Sequence, residues 1–263
     1  NGEFGEAEDV LRQALALDPE NTEVLYNLSR IEGARGNRDK QQELLEKLVD
    51  RDPESPEAQT SLGNIYLSQK KRKDAKEAFL AALMADDSYI PARMGYAAVL
   101  IDEEKYRRAE KELSTVIELN PEYPLAYEDR SRSRLALQDR EGAISDLSKA
   151  IGLEPDNFWN YLDRGRIRLR IGRTGKALED FSQAIELKPD NFFPYAYRAG
   201  IFEQLDRIDK AVRDYRKVLS LREDYYFAYS ALGSLYYMKE RWTDAAVSFG
   251  KAFAYEREMF AYP

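Results

Sequence analysis

Leu62-Gly63-Asn64-Ile65-Tyr66, followed nine residues later by Ala75-Lys76-Glu77-Ala78-Phe79-Leu80-Ala81-Ala82, is the stretch that decides the fold. Ala75, Phe79 and Ala82 are spaced four and three apart, so they share one face of a helix. Gly63 sits between Leu62 and Tyr66 on a separate helical run. Small side chains let two helix backbones approach, and the large ring fills the space beside them. The same pattern returns every 34 residues. One column is Ala7, Gln41, Ala75, Ala109, Ala143, Ala177, Ala211 and Ala245. A second is always small (Ser29, Gly63, Ala97, Ser131, Gly165, Ala199, Gly233) and a third always bulky (Leu11, Leu45, Phe79, Leu113, Leu147, Phe181, Tyr215, Phe249).

Proline punctuates the pattern. Pro19, Pro53, Pro121, Pro155 and Pro189 keep the same step, with Asp87 and Glu223 in the two remaining places. Proline cannot continue the preceding helix, because it lacks the N–H and clashes with the turn before it. Polar stretches such as Gln138-Asp139-Arg140-Glu141 and Asp206-Arg207-Ile208-Asp209 divide each row into two helices. A fixed period of this size marks a stacked repeat array, in which each unit packs on its neighbours and no central core grows with length. The predicted fold class is therefore all-α, a solenoid of antiparallel helix hairpins.

The row Leu62-Gly63, Tyr66, Ala75, Phe79, Ala82 resembles the tetratricopeptide repeat family over essentially the whole chain. The resemblance implies a right-handed superhelix whose first helices line a concave groove, and a non-catalytic protein-interaction scaffold binding a peptide or helix of a partner. The chain is then a single solenoid over 1–263. Residues 1–21 form the second helix of a truncated repeat, full repeats occupy 22–55, 56–89, 90–123, 124–157, 158–191, 192–225 and 226–259, and a further segment starts at 260–263. The row 22–55 departs most, with Glu32, Gln41 and Leu48 at packed places, and looser packing is expected there. Phe260-Ala261-Tyr262 echoes Phe227-Ala228-Tyr229, as though another row were starting. Both ends read as cut and uncapped, which predicts a piece of a longer protein and self-association through the open ends, since solenoids normally carry polar caps.

Composition narrows the chemistry. The 263 residues contain no cysteine and no histidine, which excludes disulfides, thiolate chemistry and Cys/His metal sites and removes the common nucleophile–base pairs. No glycine-rich phosphate loop or nucleophile elbow is present. No enzyme activity, cofactor or metal is expected. The net charge of −8 is concentrated in residues 1–87, where 12 basic and 19 acidic side chains give −7. An acidic chain with no basic face is a poor nucleic-acid binder. Lys70-Lys71-Arg72-Lys73 resembles a nuclear-import signal but falls where a solvated turn is expected. Tyr225 to Met238, the longest uncharged stretch, is too short and too rich in tyrosine to cross a bilayer. The lack of cysteine fits an exported bacterial protein, although cytosolic proteins can share it.

Three groups of residues stand out. Arg130, Arg164 and Arg198 replace an apolar residue of other rows, and the same rows carry Asp146, Asp180 and Asp214 sixteen residues later. This paired exchange predicts ion pairs inside the hairpins, because an unpaired buried charge is expensive. The alternative is a groove-facing set that holds an anion. Arg132 and Arg166 share a column that points into the groove in tetratricopeptide proteins, and Arg168 and Arg170 follow. They are either a paired, solvated face or a basic patch for a ligand. Finally, Pro91, Leu125, Trp159, Phe193 and Phe227 form an apolar ladder, next to Ile90, Pro124, Phe158, Phe192 and Tyr226. One member of each pair is expected in the core and the other at the groove mouth. The candidate partner-binding residues are Arg132, Trp159, Arg166, Arg170, Phe193 and Phe227.

The carboxylate clamp of chaperone-binding tetratricopeptide domains needs lysine and asparagine at set groove places. Asn64 matches one, but Thr60 and Gly95 stand where others are required, so that ligand is not expected. Two other roles fit the sequence: the recruitment arm of an enzyme with its catalytic domain elsewhere, and a carrier of an apolar ligand in an aromatic-lined groove.

Overall fold

The computed structural model describes the backbone of residues 2–261 and the side chains of residues 8–257. Fifteen α-helices, and no strand, occupy the described residues. They fall into two compact units, Asn1–Asp139 and Arg140–Pro263. The first holds α1 (Gly2–Leu17), α2 (Thr22–Ala34), α3 (Arg38–Arg51), α4 (Pro56–Ser68), α5 (Arg72–Ala85), α6 (Ile90–Asp102), α7 (Tyr106–Leu119) and α8 (Pro124–Ala136). The second holds α9 (Arg140–Leu153), α10 (Phe158–Arg170), α11 (Thr174–Leu187), α12 (Phe192–Gln204), α13 (Ile208–Leu221), α14 (Tyr226–Met238) and α15 (Trp242–Ala261). Tyr262, part of the sequence echo at the C-terminal end, lies outside the described residues.

Each first helix stops in the same way. In the α4–α5 turn the Lys71 N–H donates to Tyr66 O at 2.9 Å and the Lys70 N–H to Leu67 O at 3.0 Å, the bonding of a Schellman motif. This closure forces one residue into the left-handed region. Gly36, Lys70, Glu104, Gln138, Gly172, Asp206 and Glu240 all have φ between 54° and 81°, each 34 residues from the last. Only two of the seven are glycine, so five rows hold a side chain in a conformation that costs roughly 1 kcal/mol. Lys70 and Lys71 belong to this turn, while Arg72 and Lys73 open α5. Side-chain caps start several first helices: Asn21 accepts from the Val24 N–H at 3.0 Å and Asn191 from the Phe193 N–H at 3.0 Å. Such a cap is worth about 1 kcal/mol.

Packing follows the small and bulky columns. Ala75, Phe79 and Ala82 are fully buried. A Cβ added to Gly63 would lie 2.7 Å from the Phe79 ring, and one on Gly95 of the next row 2.3 Å. Phe79 is thus clasped between two glycines on successive first helices. Gly165 and Gly233 stand in the same relation to Phe181 and Phe249, at 2.8 and 2.6 Å.

The row 22–55 is not loose in its apolar layer, where Leu25, Leu45 and Leu48 are buried together with Ala58, Leu62 and Ile65 of the next row. Its irregularity is polar. Glu32 accepts from Asn37 Nδ2 at 2.7 Å, and Gln41 fills the space that Gly33 leaves open, with Oε1 buried and unbonded.

Candidate functional site

The arginines in apolar places occupy built sites. Within the second unit, Arg164 on α10 donates from Nη2 to Asp180 Oδ1 at 2.7 Å and from Nε to both carboxylate oxygens at 3.2 and 3.3 Å. Arg198 on α12 meets Asp214 with the same fork, at 2.7 and 3.0 Å. Each arginine also reaches back sixteen residues. Arg164 Nη1 donates to Ser148 Oγ at 3.0 Å, and Arg198 Nη1 to Ser182 Oγ at 3.2 Å. In the first unit, Arg130 Nη1 donates to Ser114 Oγ at 3.0 Å. All three guanidinium groups lie 5.7 Å from a tyrosine ring three residues earlier (Tyr127, Tyr161, Tyr195). Asp146, Asp180 and Asp214 are buried. Arg130 belongs to the first unit and Asp146 to the second.

The serine is the residue that pattern reading missed. Ser114, Ser148 and Ser182 recur every 34 residues, and only in the rows that precede an arginine row. The signal is a column of small polar residues whose partner is in the next row, so it is invisible when each row is read alone.

The second group of arginines separates. Arg168 belongs with the buried network, because its Nη1 donates to Asp180 Oδ2 at 2.7 Å. Asp180 therefore holds two guanidinium groups. Arg166 is half-exposed, donates to Asp163 at 2.9 Å and lies 5.8 Å from the Tyr197 ring. Arg170 is exposed and forms no ion pair with a described residue. Arg132, in the first unit, is exposed and donates to Asp129 at 3.0 Å. Burial pushes the Asp129 carboxyl above the usual carboxylate range, with Arg132 opposing the shift.

The aromatic ladder divides at each helix start. Phe158 is buried and Phe192 partly so, whereas Trp159 is 51% exposed, Phe193 39% and Phe227 57%. Each exposed ring rests on its chain neighbour: Trp159 on Phe158 at 4.3 Å, Phe193 on Phe192 at 4.1 Å, and Phe227 on Tyr226 at 4.0 Å. Phe192 and Tyr225 at 5.2 Å, then Tyr225 and Phe227 at 5.7 Å, make the rings continuous from α12 to α14. Cations flank them, with Lys188 over Phe158 and Arg222 over Phe192. Helix geometry explains the split, since adjacent residues in a first turn project about 100° apart and only one can face the neighbouring helix. In the first unit Pro91 and Leu125 are the exposed equivalents.

Among the described residues, no cluster of three or more Asp/Glu side chains is arranged to hold a metal ion, and no helix is long and apolar enough to cross a membrane.

The sequence profile of the ETO1 C-terminal domain family matches residues 43–230, and that of a tetratricopeptide repeat family matches residues 1–65. No curated protein matches the chain in sequence. Several solved structures share its fold. YrrB, described as a TPR protein with an unusual peptide-binding site, is 20% identical with a TM-score of 0.61, covering 70% of this chain and 95% of its own. MamA is 22% identical with a TM-score of 0.59, covering 62% of this chain and 95% of its own. A tetratricopeptide repeat protein from Parabacteroides merdae is 21% identical with a TM-score of 0.64, covering 89% and 92%. Similarity at this level concerns the fold alone. The chain is built of tetratricopeptide repeats, and it belongs to the ETO1 C-terminal domain family.

Proposed function

We propose that this chain is a non-catalytic protein-interaction scaffold whose repeat rows, 22–55 through 226–259, are its modules. The proposed partner is a peptide or helical segment of another protein. In the second unit it would lie along the starts of α10, α12 and α14 and contact Trp159, Phe193 and Phe227, with Arg166 and Arg170 about 10 and 16 Å farther along the Trp159 face of α10. Arg132 is an equivalent basic position in the first unit.

The observation that carries this reading is the exposure of three large rings at the same place in three successive rows. Exposed aromatic residues placed this regularly are costly to leave in water, and aromatic and arginine side chains dominate binding hot spots. Arg166 keeps part of its fork free beyond Asp163, and Arg170 has no acid partner among the described residues, so an acidic group could join either without breaking the fold. The buried arginines do not enter the proposal, because their forks are taken by Asp180 and Asp214. YrrB, a protein of the same fold, is described as binding a peptide, which supports the reading by analogy.

The test is a peptide-display selection on the purified chain, followed by affinity measurement for the selected peptides. Trp159→Ala and the pair Arg166→Glu with Arg170→Glu should each weaken binding by about tenfold or more. Thermal stability should change little, because all three side chains are half-exposed or exposed. Affinities unchanged by both variants would refute the assignment.

A further inference from the structure

The net charge of −8 conceals a local basic face in the second unit. Helix α13 carries Lys210, Arg213, Arg216 and Lys217, all exposed, and none of them forms an ion pair with a described residue. The two acids of the same helix are both taken by cations from elsewhere, Asp209 by Lys239 and Asp214 by Arg198. What α13 presents to solvent is therefore uncompensated positive charge.

Lys210, Arg213 and Lys217 are three and four residues apart. On a helix they fall within an arc of about 60° and span about 10 Å of the axis. Lys210 lies over the Phe202 ring at 5.5 Å and Lys217 over the Tyr195 ring at 6.0 Å, both rings belonging to α12. The lysine stems thus rest on a fixed surface while their ammonium groups reach water. Arg216 stands beside the stripe, where its Nε donates to the Tyr236 hydroxyl at 2.9 Å. The equivalent places hold Lys176, Glu179 and Gln183 on α11, and Asp244, Val247 and Lys251 on α15. The stripe is confined to one helix.

The fold does not call for it. Like charges three and four residues apart repel and weaken a helix, and Lys210 in the first turn opposes the helix dipole. Packing does not require cations at these places either, because α5 fills them with Asp74, Glu77 and Ala81. A charge pattern that costs its own helix, and whose nearest acids are neutralised by other residues, is set for an anion from outside.

We propose that the outer face of α13 docks a short acidic helix of a partner protein, with carboxylates three and four residues apart. Arg213 would take one carboxylate with its planar fork, and the two lysines would act as point charges on either side. The extent of the stripe selects this occupant. It covers about two helical turns, room for three carboxylates. Charges are screened beyond about 8 Å at physiological salt, so a short segment feels the stripe alone. A nucleic acid or an anionic bilayer would run on over acidic neighbours such as the exposed Glu179. The face lies on a second helix, apart from the ring ladder at the starts of α10, α12 and α14, and the proposal stands independently of that site.

The probe is a dye-labelled, alanine-rich peptide of about 16 residues, long enough to form a helix, with glutamates three and four residues apart. It is titrated into the chain at about 50 mM salt and followed by anisotropy. Saturable binding is expected, about tenfold or more weaker when glutamine replaces the glutamates. Lys210→Gln, Arg213→Gln and Lys217→Gln together should weaken it by about tenfold or more without lowering the melting temperature, since the three cations are exposed and repel one another. Lys40→Gln, Lys70→Gln and Lys73→Gln, exposed in the first unit, change the net charge equally and should leave the affinity within about twofold. Absence of saturable binding, equal affinity for the glutamine peptide, equal affinity in the folded α13 variant, or equal losses from the two triple variants would overturn the proposal. So would tighter binding of a single-stranded DNA of about 20 nucleotides, or of phosphatidylserine vesicles, than of the peptide, since the occupant would then be an extended polyanion.

Discussion

Asp180→Ala should be among the most damaging single changes in this chain. Asp180 is 2% exposed and accepts from two guanidinium groups, Arg164 at 2.7 Å and Arg168 at 2.7 Å. Removing it leaves two cations in a region from which water is largely excluded, while the Arg164 fork keeps only Ser148. Breaking a buried ion pair from one side costs about 3–5 kcal/mol, chiefly because the remaining charge is uncompensated. The row 56–89 provides the counter-design, since it fills the equivalent places with Leu62, Tyr66 and Ala78. The triple variant Arg164→Leu, Arg168→Tyr, Asp180→Ala should therefore fall within about 1.5 kcal/mol of the parent, because well-packed apolar replacements of buried ion pairs are often neutral. Guanidinium denaturation should be followed both by far-UV circular dichroism and, in a Trp242→Phe background, by the fluorescence of Trp159, which lies on α10 itself. Two probes are needed because repeat arrays can lose cooperativity. A loss below about 1 kcal/mol for Asp180→Ala, or a triple variant as unstable as the single one, would refute the argument that pairing drives the exchange.

Two further outcomes follow from backbone and charge. Glu104→Gly, at a φ of 58°, should stabilise by about 0.5–1 kcal/mol, and Gly172→Val at a φ of 78° should destabilise by about 1 kcal/mol or more, both read from denaturation midpoints. Equal effects at the two sites would contradict the left-handed turn. Acid should act in two directions. Arg72 holds the Asp102 carboxyl below its usual range, and Lys239 does the same for Asp209. Their contribution is present above the unfolded carboxylate value, about 3.9, and is lost as pH falls through the lower folded values. Asp129 has the opposite sign: its raised folded value means that ionisation opposes folding, so stability falls as pH rises through that value. Asp129→Asn should be at least as stable as the parent near neutral pH and lose that advantage towards about pH 4. Melts at both pH values check this, and a variant less stable near neutrality would reverse the assignment.

Much of the architecture is legible in the sequence because the repeat supplies its own controls. Eight versions of one column distinguish a required alanine from a tolerated one, and a proline ruler fixes the phase. The exchange of Leu62 and Ala78 for Arg164 and Asp180 is readable for the same reason, as two columns change together. Other features resist this reading. Helices begin two residues inside the polar stretches that separate them, so that Arg140 and Ile208 open helices. The left-handed column cannot be inferred from composition, since Lys70, Glu104, Gln138, Asp206 and Glu240 share only their backbone bonding. Arg168 looks like Arg170 in the chain but differs in space, because a two-residue step turns a helix by about 200° and sends one side chain inward and the other to solvent.

The sequence by itself determined that this chain is a stack of tetratricopeptide hairpins without cysteine or histidine chemistry, because burial patterns at 3.6 and 34 residues are local and repeated. Only the tertiary structure decided which arginines are taken and which are available, and which ring of each pair is exposed. Those outcomes depend on the neighbouring row: Ser148 belongs to Arg164 and Gly95 to Phe79.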